Sequence, residues 1–193
     1  GLVLDGKTQQ TIRGTGTYGQ LEIDNAQGVR VEDDITLTED LLLTQGILDI
    51  NDQLFTLQAE SDILGAPFDS TKMIVTDGVY SNVGLRKYFD IYSGPNQTFT
   101  FPIGTSGKYT PATLTYSNID NLGFIRINNI NDNHPGVFDD TNVLDYYWEI
   151  ESDGITGFSG SIIFDYKEED VQVAGANTEA DYIAAALLIP GTS

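Results

Sequence analysis

The chain has 193 residues, 40% of them apolar, enough to bury one sizeable core or two small ones. Nine Lys and Arg stand against 29 Asp and Glu, a formal net charge of −20, which leaves no basic track for nucleic acid and disfavours an anionic membrane surface. There is no cysteine, so packing alone must hold the fold, and no stretch approaches the length of an apolar membrane span, so no membrane insertion is expected.

The acids are unevenly placed. Residues 1–60 carry eleven acids and three bases, residues 61–138 six and five, and residues 139–193 twelve against Lys167 alone. Such charge reads first as solvated surface.

In chain order, an apolar start at Leu2, Val3 and Leu4 precedes any regular repeat. Residues 14–19 (Gly-Thr-Gly-Thr-Tyr-Gly) are followed by neither a Lys-Ser/Thr pair nor a helix pattern, so they read as a flexible loop, not a phosphate cradle. A repeat then begins. Alternating apolar pairs occur at Leu21/Ile23, Val29/Val31, Ile35/Leu37, Leu41/Leu43, Leu48/Ile50 and Phe55/Leu57, offset by 8, 6, 6, 7 and 7 residues. Each pair suits a short strand with two side chains on one face, and Gly, Asp and Asn supply the bends. A unit this short suits a coiled β-solenoid better than a meander of hairpins. Residues 60–71 break the repeat and show no clear strand.

Longer β patterns follow at 72–76, 85–91, 98–103, 112–116, 124–130, 146–151, 159–166 and 182–189, with Pro102 and Pro111 expected at strand ends. Seven or eight such strands fit a two-sheet sandwich. The expected fold is therefore all-β: a short parallel β-solenoid over residues 1–66, followed by an antiparallel β-sandwich over 67–193.

Residues 29–57, with Thr-rich strands around the turn Gly46-Ile47-Leu48-Asp49-Ile50-Asn51, resemble the solenoid repeats of very large Bacteroidota surface proteins exported by the type IX system. The second half is similar to the module that commonly follows. Its marks are residues 101–105 (Phe-Pro-Ile-Gly-Thr), 109–114 (Tyr-Thr-Pro-Ala-Thr-Leu), His134-Pro135, Tyr147-Trp148-Glu149-Ile150 and 154–158 (Gly-Ile-Thr-Gly-Phe). The resemblance covers most of residues 20–190 and implies display outside the cell, on a bacterial surface, in a family that includes gliding and attachment adhesins. The chain is read as an internal piece or processed subunit of such a protein. Asp69-Ser70-Thr71 resembles the O-glycosylation pattern of those bacteria, which makes Ser70 a candidate glycan site.

The residues point away from catalysis. His134 is the single histidine, and Gly157-Phe158-Ser159-Gly160 lacks the spacing of a nucleophile elbow. Carboxylate pairs such as Asp33/Asp34 and Glu168/Glu169 abound without any one being selected for glycosidase work. A polysaccharide lyase on a β-helix needs more coils and a base beside bound calcium, and Arg30 is the only base between residues 20 and 60. Among cofactors only Ca²⁺ has a candidate site. Asn131, Asp132, Asn133, Asp139 and Asp140 offer hard oxygens within ten residues, without EF-hand spacing. Tyr146, Tyr147 and Trp148 form a candidate sugar-stacking platform, but alternation puts Tyr146 and Trp148 on one face and Tyr147 on the other. Trp148 is therefore expected in the core, with Tyr88 and Tyr92 as further surface candidates. The expected role is a non-catalytic structural or adhesive module: a stalk, spacer or polymerising fibre subunit, joined end to end to neighbouring modules or copies. Candidate joining segments are Leu2, Val3 and Leu4 at one end and Leu187, Leu188 and Ile189 at the other. The alternative is a carbohydrate-binding module of a secreted polysaccharide-acting protein, with surface glycans as partners.

Overall fold

A computed structural model describes residues 1–79, 82–137 and 141–171, with Gly175, Thr178 and Ala180 beyond them. Short strands wind into a three-sided coil. The first coil holds β1 (Leu2–Leu4), β2 (Gln10–Ile12) and β3 (Gly16–Tyr18). The second holds β4 (Leu21–Asp24), β5 (Val29–Val31) and β6 (Ile35–Leu37), and the third β7 (Leu41–Gln45), β8 (Leu48–Asp49) and β9 (Leu54–Leu57). Each strand lies parallel to its equivalent one coil on. Leu21 stands beside Leu41, Val29 beside Leu48 and Ile35 beside Phe55, steps of 20, 19 and 20 residues.

The two-residue alternation turns one pair of apolar side chains per strand inward. Leu21, Ile23, Val31, Ile35, Leu37, Leu41, Leu43, Leu48 and Ile50 are none of them more than 2% exposed, so the pairs form one narrow core. Each such burial contributes roughly 1.5–3 kcal/mol before ordering costs. At a corner, Asn25 is fully buried; its amide donates to the Thr8 carbonyl at 2.8 Å and its Oδ1 accepts the Gln27 amide at 2.9 Å.

Two sequence readings are corrected here. The Gly-rich stretch 14–19 is not a flexible loop, because its middle is β3, held in register against β6. It completes a first coil that begins at β1, so the repeat starts before Leu21. Residues 60–71 do contain a strand, β10 (Ile63–Leu64), parallel to β7, with Ile63 buried. One inward side chain per strand is too weak a signal to read from spacing.

A fourth, wider coil follows. It is made of β10, β11 (Ile74–Val75) on β8 and β12 (Gly84–Phe89) on β9. The segment expected as the first sandwich strand, 72–76, thus belongs to the solenoid. The remaining strands are β13 (Tyr92–Phe101), β14 (Ile103–Thr105), β15 (Lys108–Tyr109), β16 (Ala112–Ile119), β17 (Gly123–Ile130), β18 (Tyr147–Asp153) and β19 (Ser159–Phe164). Pro102 and Pro111 fall between strands, as expected.

Four sheets result. The first is β1-β4-β7-β10, all parallel. The second runs β2-β5-β8-β11-β14 in parallel and ends on antiparallel β15. The third runs β3-β6-β9-β12 in parallel and ends on antiparallel β17 and β18. The fourth is antiparallel, in the order β13-β16-β19. It packs on the antiparallel end of the third sheet as a sandwich. Phe89 meets Phe99 edge-on at 5.8 Å and Tyr116 at 5.4 Å, and Trp148 tilts against Phe164 at 5.1 Å. The second and third sheets cross residue 66 unbroken, and one apolar cluster extends from Leu4 to Ile127. The expected strand at 182–189 lies outside the described residues.

Candidate functional site

The two ends of the coil differ. At the far end, antiparallel strands close the second and third sheets. At the near end, β1, β2 and β3 each pair on one side only among the described residues. The Leu2 amide donates to the Gln20 carbonyl at 2.9 Å, so by strand alternation the Val3 N–H and C=O face the open side. In β2 the Gln10 amide bonds the Gly28 carbonyl and the Ile12 carbonyl accepts the Glu32 amide, so Thr11 faces the open side. Leu4 is buried in the coil, whereas Leu2 and Val3 are 38% and 51% exposed. Of the candidate joining residues, these three therefore lie at an unpaired edge. Leu187, Leu188 and Ile189 lie outside the described residues.

Asn131, Asp132 and Asn133 follow β17 in a loop whose oxygens are partly engaged locally. Asp132 accepts the Asn133 amide at 2.8 Å, and the Asn131 amide donates to Asp77 at 3.0 Å. Burial raises the Asp77 carboxyl above its ordinary range, opposed by that bond. Asp139 and Asp140 lie outside the described residues. Among the described residues, no three acidic or histidine side chains gather as a metal site. His134 accepts the Gly136 amide at Nδ1 and stands edge-on to Tyr147 at 4.7 Å, which fixes the turn.

Ser70 is half-buried in a tight turn. Asp69 accepts both the hydroxyl and the amide of Thr71 at 2.7 Å, and these bonds hold its carboxyl below the usual range. Trp148 donates from Nε1 to the Thr110 carbonyl at 3.0 Å and packs on Tyr146 and Phe164, which ties the half-buried indole to the sandwich.

A groove of about 310 Å³, which takes in the surface candidate Tyr88, lies on the outer face of the third sheet. Register aligns Thr17, Thr36, Thr56 and Arg86 in one row across β3, β6, β9 and β12. Thr15, Asp34, Gln58 and Tyr88 flank the row. Outward positions on successive coils are its sequence signal, once the coil length is known. No protein-family model, curated protein or solved structure matches the chain.

Proposed function

We propose that the chain is a non-catalytic structural or adhesive module of an extracellular bacterial surface protein or fibre, joined end to end through its first coil. The observation that carries this reading is the asymmetry of the coil ends. At one end antiparallel strands continue the second and third sheets, and at the other β1, β2 and β3 each have one side unpaired among the described residues. An unpaired edge of parallel strands is a template for strand addition, and native folds normally cover it. A further coil, from a neighbouring module or another copy, meets that need with main-chain hydrogen bonds and covers Leu2 and Val3. The extracellular placing rests on the resemblance of residues 29–57 and of the ordered motifs after residue 100.

Proline at Val3 and Thr11 tests it. Both residues turn their N–H to the open side, so the double variant V3P/T11P removes two outward donors and leaves the inner ladders intact. Sedimentation and electron microscopy of the chain should show end-to-end association that the variant abolishes at unchanged melting temperature. A monomer at every concentration, with fast-exchanging Val3 and Thr11 amides, defeats the reading.

A further inference from the structure

We infer that the groove on the outer face of the third sheet binds an acidic saccharide, with Arg86 taking the carboxylate of a uronic acid unit. Seven of the nine bases have an evident partner. Arg13 pairs with Glu32, Arg30 with Asp49, Lys108 with Asp145 and Asp170, Arg126 with Glu149 and Glu151, and Lys167 with Glu169. Lys72 and Lys87 donate to main-chain carbonyls. The exposed Lys7 and the groove-lining Arg86 have neither kind of partner among the described residues. Arg86 is partly buried, its guanidinium lies over the Phe124 ring at 4.4 Å, and its Nε has no hydrogen-bond acceptor. In a chain with a −20 balance, an arginine held flat on an aromatic ring without a carboxylate leaves N–H donors open to an anionic acceptor.

The rest of the groove selects the kind of anion. The Thr17, Thr36 and Thr56 hydroxyls, stacked one strand spacing apart, have no side-chain partner among the described residues. Asp34 and Gln58 add an acceptor and an amide, and Tyr88, edge-on to Phe124 at 5.5 Å, adds an aromatic wall. Rows of hydroxyls with mixed donors and acceptors suit a polyhydroxylated ring, and the guanidinium fork suits a carboxylate. The volume lies at the lower end of ligand clefts, room for a short oligosaccharide segment. Asp34 already accepts the Leu54 amide at 2.8 Å, so part of its acceptor capacity is taken up within the sheet. The chain's overall negative charge acts over a Debye length of about 8 Å at physiological salt, so it slows approach more than it weakens a bound contact.

This inference goes beyond the joining role and does not depend on it. The test is an NMR titration of the full chain at physiological salt with uronate trisaccharides (galacturonate, glucuronate and mannuronate) and with neutral cellotriose. At least one uronate should give saturable shifts at Thr17, Thr36, Thr56, Gln58, Arg86 and Tyr88, and cellotriose should bind about tenfold or more weakly. Arg86→Gln should weaken the uronate by about tenfold or more, and Thr36→Val should weaken it without touching the charge, both at unchanged melting temperature. If Arg86→Gln does not fold, Thr36→Val and Arg86→Lys carry the comparison. No saturable shift with any uronate, equal binding of cellotriose, or variants that bind like the parent overturns the inference.

Discussion

At Gly46 the backbone turns with φ of 87°, and a Cβ there would stand 1.9 Å from the Asn25 carbonyl oxygen of the neighbouring coil. Two costs meet at this residue: the left-handed conformation and the close stacking of one corner on another. Gly14 separates them, because its φ is 91° and a Cβ there meets nothing within 4 Å. Alanine at Gly14 therefore tests the conformational cost alone, about 1 kcal/mol. Alanine at Gly46 must also push two coils apart and should lose more than about 2 kcal/mol. Urea unfolding of the two variants checks this. Equal losses would mean that corner stacking does not set the requirement for glycine. The same register of corners keeps Asn25 buried and satisfied, since its amide reaches the Thr8 carbonyl and Gln10 of the preceding coil.

Strand β12 is tied to the corner after β9 by one side chain. The Lys87 amine donates to the Gln58, Ala59 and Ser61 carbonyls at 2.8, 2.6 and 2.6 Å, and the residue is 4% exposed. Burial pushes the ammonium down to about 8, against the pull of Asp62, Glu60 and Asp40. Between that value and the ordinary 10.5 the unfolded chain holds a proton that the folded chain has lost, so stability rises with pH across this window. Tyr109 acts oppositely. Burial lifts its hydroxyl to about 12 from 10.0, so its contribution is present below pH 10 and is lost as pH rises through 12. At fixed high salt, stability should therefore climb from pH 8 to about 10 and fall above it. Lys87→Met should flatten the climb and cost about 1–3 kcal/mol by leaving the three carbonyls without their donor. A climb that survives in Lys87→Met would assign it elsewhere. The six apolar pairs from Leu21 to Leu57 were legible as coil strands because each puts two side chains inward, and any three successive offsets add up to about one coil. The first coil was hidden because β3 turns only Gly16 and Tyr18 inward, and β10 because it has two residues. The inward place of Lys87 can be read from its alternation with Leu85 and Phe89, but its carbonyl partners cannot. The row Thr17, Thr36, Thr56 and Arg86 depends on lateral register between strands as many as 30 residues apart in sequence, which spacing along one strand does not encode.

For the molecule as a whole, the question is whether solenoid and sandwich unfold together. Stacked repeats interact mainly with their neighbours and can lose cooperativity as they lengthen. Here the array is short, its second and third sheets continue into β14 and β17, and the apolar cluster is continuous from Leu4 to Ile127. Local opening of the coils would strip β12 of its β9 partner and β11 of β8, exposing Phe89 and Ile74 at the base of the sandwich. The free energy of the two parts is thereby coupled. Trp148, the single tryptophan, reports from the sandwich, where it packs on Phe164 and bonds the Thr110 carbonyl. Ile23, fully buried in the second coil, lies far along the chain from that reporter. Ile23→Ala should destabilise the fold by about 2–5 kcal/mol through lost burial and a residual cavity. Coupling requires that the Trp148 fluorescence transition move to lower denaturant by the same amount as the far-ultraviolet circular dichroism transition. Coincident curves in parent and variant establish one cooperative unit. A Trp148 transition that stays in place while the dichroism splits into two steps would show that the coils melt on their own, and that the antiparallel strands cap a separable array.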